Sequence, residues 1–282
     1  MTTLGYLPFS LLLSLLVFYS SSAIAGSKVI GTGGATTIEG SAGGGIVPWA
    51  VVNGYASSGQ WSVTGFSNQV GVDDFRLNTL GAGFSYGNQI EVSLTKQTFA
   101  LDTLGGDLRQ TIVGVKYHVA GELLYTEMPQ ISLGAQWKKH QNFDLPKAVG
   151  ARDDQGVDWY VAASKVWLDA VAGRNLLLNA TVRATKANQT GLLGFGSATD
   201  NSYQLMTELS AAVLLTPHWA VGAEFRQKPN QLAFADEEHW RDVFGAWFIN
   251  KNVSLVGGYV DLGAIAGLPK QQGYYLALEA TW

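Results

Sequence analysis

The chain has 282 residues, with 22 acidic and 18 basic side chains, a formal net charge of −4 and charged residues at only 14%. It contains no cysteine, which excludes disulfides, thiolate metal sites and a cysteine nucleophile, and its mild acidity is the wrong sign for a nucleic-acid surface. So few charges with a mean hydropathy near zero fit a wall whose residues alternate between lipid and a wet interior; a helical membrane protein would be more apolar and a soluble enzyme more charged.

Residues 7–19, LPFSLLLSLLVFY, form an apolar run followed by Ala23-Ile24-Ala25, the small-x-small pattern of a signal-peptidase site. The run is about 13 residues, whereas a spanning helix needs about 20. We therefore expect a signal peptide over residues 1–25 and a mature chain over 26–282, although the first segment lacks the usual Lys or Arg. No later stretch is long and apolar enough for a membrane helix, so a membrane form must be a closed barrel, which pairs every backbone polar group between strands.

Residues 31–48 are rich in glycine. A phosphate cradle would need a Gly-Lys-Ser/Thr ending and a helix, and neither is present. Two readings stand side by side: a glycine-softened first strand, or a segment whose backbone passes close to other strands and lines or partly plugs the interior. Gly43, Gly44, Gly45, Pro48 and Trp49 are its candidate residues.

Period-2 alternation then recurs along the chain. Ile90, Val92 and Leu94 alternate with Glu91, Ser93 and Thr95; Val113, Val115 and Tyr117 with Gly114, Lys116 and His118; Ile131, Leu133 and Trp137 with Ser132, Gln136 and Lys138. Further on, Leu178, Ala180 and Val182 alternate with Asn179, Thr181 and Arg183, and Val221, Ala223 and Phe225 with Gly222, Glu224 and Arg226. In the last segment Tyr274, Leu276, Leu278, Ala280 and Trp282 alternate with Tyr275, Ala277, Glu279 and Thr281. A helix would mix these charges into its apolar face. The faces near 157–167, 240–249 and 253–262 stay unassigned.

Connections supply an independent criterion, because outer-membrane barrels have short periplasmic turns and long outer loops. Short links at 58–59, 87–88, 216–218 and 250–252 alternate with longer ones at 100–108, 141–156, 188–202, 229–239 and 263–272; only 120–129 breaks the parity. About 13 strands after Trp49, plus one around 36–42, predict an all-β antiparallel barrel of about 14 strands, with 12 as runner-up, within the usual range. Trp49, Trp61, Trp137, Trp159, Trp167, Trp219 and Trp282 suit interfacial girdles. The terminal aromatic Trp282 resembles the signal read by the barrel assembly machinery.

The pieces Thr32-Gly33-Gly34-x-Thr36, Glu39-Gly40 and Gly43-Gly44-Gly45-x-Val47-Pro48-Trp49-Ala50, with Phe75-Arg76-Leu77, Gln89–Leu94, Gly114-Val115-Lys116 and Pro129–Lys138, resemble a family of Gram-negative proteins defined only as a domain of unknown function. The match spans most of the mature chain. The resemblance implies an exported outer-membrane barrel and carries no activity.

Alternation directs Glu91, Lys116, His118, Lys138, His140, Arg183, Glu208, Glu224, Arg226 and Glu279 inward. They suit either an electrostatic filter or a structural ion-pair network. His118, His140, His218 and His239 accompany no nucleophile motif, so we expect no enzyme, no cofactor and no metal. Asp153-Asp154 and Asp236-Glu237-Glu238 lack the spacing of a calcium loop. The resulting expectation is an outer-membrane channel or transporter for small polar or amphipathic solutes. A closed structural or interaction barrel is the alternative, and a lipid-modifying hydrolase a more remote one. Lipid, lipopolysaccharide and the assembly machinery are the expected partners.

Overall fold

The computed structural model describes Lys28 and residues 30–282; the expected signal peptide lies outside the described residues. Two short pieces, β1 (Ala35–Thr36) and β2 (Ala42–Gly43), pair with each other. The wall begins with β3 (Trp61–Val72), β4 (Phe75–Tyr86), β5 (Ile90–Leu101), β6 (Asp107–Ala120) and β7 (Gln130–His140). A short helix (Asp144–Ala148) and β8 (Ala151–Asp153) precede β9 (Gln155–Val171) and β10 (Arg174–Thr185). Then follow β11 (Phe195–Ser197), β12 (Gln204–Thr216), β13 (Trp219–Arg226), β14 (Trp240–Phe248), β15 (Val253–Asp261) and β16 (Gln272–Thr281). Among the described residues, all but β1, β2, β8 and β11 form one closed antiparallel barrel of 12 strands, β16 returning to pair with β3. At the seam Trp282 N–H donates to Val63 O and Val63 N–H donates to Trp282 O, both at 2.8 Å. Closure removes the edge, so the wall can stand in hydrocarbon.

Side chains divide by parity as a pleated strand requires. On β5, Leu94 is 52% exposed while its neighbour Thr95 is fully buried. The outward face carries Leu80, Leu94, Leu133, Val161, Val182, Leu209, Val243 and Leu276, all exposed. Trp219 stacks on Trp247 near the Trp282 end, with ring centroids 5.3 Å apart, and Tyr259 meets Tyr274 edge-on at the opposite end. An exposed apolar belt between aromatic rims is the surface of a transmembrane barrel.

The strand number is therefore 12, not 14. The two surplus strands were those expected over residues 36–42 and just after Trp49. Every residue from Gly33 to Ala56 is buried, with no exposed alternate face, so this stretch cannot be wall. It runs inside the barrel as an insert. Trp49 moves with it: it is 5% exposed in the lumen, not on an interfacial girdle. The parity break at 120–129 is a real long turn at the Trp282 end. Lys165 Nζ gathers the carbonyls of Glu122, Leu124 and Thr126 there, and Val166 N–H donates to Leu123 O. The faces that alternation left unassigned also have a cause. Inward Phe244, Phe248, Val256 and Val260 are apolar like their outward neighbours, so β14 and β15 show no polar stripe.

A charge on the outward face should be costly. Leu94→Arg, near the middle of β5, should lower the unfolding free energy in lipid vesicles by roughly 2–4 kcal/mol. Equilibrium denaturation followed by tryptophan fluorescence checks this; no loss would contradict the lipid-facing assignment.

Candidate functional site

The insert is buried backbone with few ladder partners, and wall side chains satisfy its peptide groups. Asn68 Nδ2 on β3 donates to Thr36 O and Thr37 O at 3.2 and 2.9 Å. Gln97 Nε2 on β5 donates to Ile38 O at 2.6 Å. Asn179 Nδ2 and Thr181 Oγ1 on β10 reach Pro48 O, while Gln130 and Ser132 on β7 reach Ala50 O. Ser62 and Ser85, on β3 and β4, donate to Asn53 O.

Three charged anchors stand out. At the first, the Glu224 carboxylate on β13 accepts the backbone N–H groups of Gly45, Ile46 and Val47 at 2.7, 2.7 and 3.3 Å, together with Ser210 Oγ at 2.7 Å and Trp49 Nε1 at 3.3 Å. This close approach explains the glycines: a Cβ on Gly44 would lie 2.1 Å from Glu224 Oε1, and one on Gly45 2.4 Å from the Tyr275 hydroxyl. A Cβ on Gly43 would lie 2.2 Å from Val47 O, where the insert folds against itself.

The second anchor is the pair Glu91 and Lys116 on β5 and β6. Glu91 accepts Ser41 Oγ, Ala42 N–H and Asn53 N–H at 3.1, 3.2 and 2.8 Å. Lys116 Nζ donates to Ala42 O and Val51 O at 2.9 and 2.8 Å and lies 3.4 Å from Glu91. Nearby, Thr36 Oγ1 donates to Glu279 at 2.5 Å.

The third anchor reverses the arrangement: the acid is on the insert and the bases are on the wall. Glu39 pairs with Lys138 of β7, with Arg226 of β13 at 2.8 Å and with Arg183 of β10 at 3.5 Å. The wall adds two carboxylates. Asp158 is 2.7 Å from Lys138 and 3.5 Å from Arg183, and Glu208 is 2.5 Å from Arg183 and 3.4 Å from Arg226. All six side chains are at most 3% exposed. Glu39 is on the insert, not on a membrane-spanning strand. Burial pushes its carboxyl up, and the positive charges of Arg226, Lys138 and Arg183 outweigh this, holding it well below the usual carboxylate range.

Lys138 also reaches the far end of the barrel. Its Nζ donates to Thr190 O at 3.0 Å, and His140 Nε2 bonds Leu192 O at 2.6 Å. Residues 188–193 thus fold into the mouth opposite Trp282 as a cap above the insert. Gln189 and Thr190 hold left-handed backbone there, with φ of 46° and 61°, a conformation that non-glycine residues keep only under external constraint. Two voids of about 20 and 30 Å³ flank the insert, both lined chiefly by apolar side chains.

The structure thus gathers Glu91, Lys116, Lys138, Arg183, Glu208, Glu224, Arg226 and Glu279 against the insert. His118 sits apart, half-buried at the Trp282 end, with its ring nitrogens on the carbonyls of Asn88, Ala120 and Gly121. His140 belongs to the cap. Alternation overlooked Glu39, Asp158, Tyr160 and Asp242. Glu39 has a visible signal in the sequence, as the one acid within the glycine-rich stretch 31–48. Asp158, Tyr160 and Asp242 lie on β9 and β14, whose faces were unreadable.

Two outcomes follow. Gly45→Ala should drive a methyl into Tyr275 and unseat the insert, lowering the thermal midpoint of the folded barrel, and Tyr275→Ala in the same chain should recover part of the loss; heat-modifiable gel mobility reads both. The Glu39 contribution should be complete above a pH of about 4.5, the ordinary value for a glutamate, and decline as pH falls below it, because the folded-state value is depressed. Thermal midpoints between pH 7 and 3 should therefore fall more steeply for the native chain than for Glu39→Gln; parallel curves would contradict this.

Among solved structures the chain is similar to the outer membrane protein Omp33 of Acinetobacter baumannii, at 12% identity and TM-score 0.45 over 79% of this chain and 97% of that one. It is also similar to the NanC porin (13%, 0.47, 78% and 98%) and the KdgM porin (10%, 0.47, 78% and 99%). No curated protein matches the sequence. A family model matches residues 32–279, taking in both the glycine-rich insert and the wall, and the chain belongs to that family, described as protein of unknown function DUF3034.

Proposed function

We propose that the protein is an outer-membrane channel closed by its own N-terminal segment, passing small polar or amphipathic solutes when that segment shifts. The observation that carries this reading is how the insert is held. Its anchors are hydrogen bonds and ion pairs to wall side chains, and water can replace such contacts as the segment moves. An insert meant only to fill space would be served as well by apolar packing, since buried ion pairs add little net stability over well-packed hydrophobic groups. The insert is also not part of the wall: its ladder is confined to β1, β2 and a bridge from Gly43 to Pro48. It can therefore move without opening the barrel.

The two ends of the lumen fit such a path. A cavity of about 380 Å³ lies at the Trp282 end, bordered by Lys28, His118, Glu122 and Gln130. The other end is covered by the strained cap over residues 188–193, which Lys138 ties to Glu39. Catalysis has no part in this reading. Both ring nitrogens of His118, and one each of His140 (Nε2) and His218 (Nδ1), meet backbone carbonyls.

The second reading is a structural or interaction barrel whose lumen stays filled. It is favoured by the breadth of the anchoring, which draws side chains from β3–β7, β9, β10, β12, β13 and β16.

Conductance of the refolded mature protein in a planar bilayer separates the two. Brief, reproducible steps are expected from the native chain, and longer openings from Glu39→Gln. A cysteine pair at Ala50 and Ser164, where N–H and Oγ are 2.8 Å apart, should abolish the steps when oxidised and restore them when reduced; the native chain has no cysteine to interfere. Silence from inserted native protein and from Glu39→Gln alike would favour the filled barrel.

A further inference from the structure

We propose that Ile38 and Glu39 occupy, in the closed barrel, the binding site of an amphipathic monocarboxylate. The inference rests on the channel reading above and names its cargo.

The polar half of the site is a matter of charge. Lys138, Arg183 and Arg226 converge on one carboxylate, and the wall provides only Asp158 and Glu208 to balance them. Three wall cations against two wall anions leave one positive charge unmatched within this cluster, and Glu39 matches it. When the insert shifts, the wall keeps a site short of one negative charge, which a monoanion would neutralise and a dianion would overfill.

The wall groups are held without help from Glu39. The Arg183 guanidinium bonds Glu208 and Gln136 at 2.5 and 2.8 Å and lies over the Tyr160 ring, 5.2 Å from its centroid. Arg226 lies over the Trp240 ring at 5.6 Å and contacts Glu208. Lys138 is 2.7 Å from Asp158. Cations fixed in this way lose little freedom when an anion arrives, and guanidinium groups suit a carboxylate geometrically.

The apolar half begins at the residue before Glu39. Ile38 and Ile46 line a small apolar chamber, of about 30 Å³, together with Val70, Phe75, Leu77, Phe99 and Val260. These are inward-facing positions of a membrane barrel, where polar side chains are the rule. Trp240 belongs to both halves, since its ring lies under Arg226 and also lines the chamber. An aliphatic side chain beside a carboxylate, seated in an apolar chamber beside a cation cluster, has the chemistry of a fatty acid's chain and head. Displacement of Ile38 and Glu39 by such a ligand would couple binding to opening.

The test is equilibrium dialysis of labelled dodecanoate at pH 8 against refolded protein in amphipol, with folding verified by heat-modifiable gel mobility. Glu39→Gln frees the cations of their carboxylate. It should bind about one dodecanoate per barrel, at least about tenfold tighter than the native chain and than the double variant Glu39→Gln/Arg226→Gln. Acetate, which lacks the chain, and dodecyltrimethylammonium, which lacks the anion, should not displace it. Equal binding by all three proteins, or full displacement by either control, would overturn the proposal. Bilayer conductance of the same Glu39→Gln preparation keeps the two readings apart. Openings without selective dodecanoate binding would leave the channel standing and remove this cargo; binding without openings would keep the site and remove the channel.

Discussion

A peptide group buried without a partner is costly, and a long stretch of this chain, from Gly33 to Ala56, is buried with almost no strand pairing of its own. The rest of the interior follows from that constraint. Ser, Thr, Asn, Gln and charged side chains on the inward faces donate to or accept from the insert's backbone, much as a second strand would. Glu224 does so most fully, holding three successive N–H groups in one carboxylate. The insert in turn occupies the interior, since a barrel of 12 strands encloses more space than its own inward side chains fill.

Glycine makes the arrangement sterically feasible. At Gly44 and Gly45 the insert passes so close to Glu224 and Tyr275 that no side chain fits. Pro48, bridged antiparallel to Gly43, leaves its carbonyl for Asn179 and Thr181, and Trp49 fills space while its Nε1 meets Ser210 at 2.9 Å. The Gly-Gly-Gly-x-Val-Pro-Trp-Ala run is thus a docking element shaped to one wall surface. It also divides the lumen into a polar region around Glu39 and apolar regions against β14 and β15. Lys138 links insert to cap by contacting Glu39, Asp158 and Thr190 O together. Movement of the insert or of the cap would therefore perturb the same ammonium group.

A strand reveals its inward side in the sequence only where its two faces differ in polarity. On β5, β7, β10, β13 and β16 one face meets lipid and the other meets polar contacts, so alternation directs Glu91, Lys138, Arg183, Glu224 and Glu279 inward, and these side chains are buried in the structure. On β14 and β15 the inward Phe244, Phe248, Val256 and Val260 pack against the insert, the contrast vanishes, and Asp242 went unnoticed among them.

By itself the sequence determined the wall: a closed antiparallel barrel with a lipid face and a polar face, and loop lengths alternating between its ends. Period 2 is a local property, written strand by strand. What only the tertiary structure decided was the destination of residues 33–56 and hence the strand number. Whether a glycine-rich stretch joins a sheet or enters a lumen depends on surfaces far away in the chain, such as the carboxylate of Glu224 roughly 180 residues on. The meeting of Glu39 with Lys138, Arg183 and Arg226 has the same origin. Four side chains from separate elements share one desolvated point only after the barrel has closed, and no local pattern records that distance.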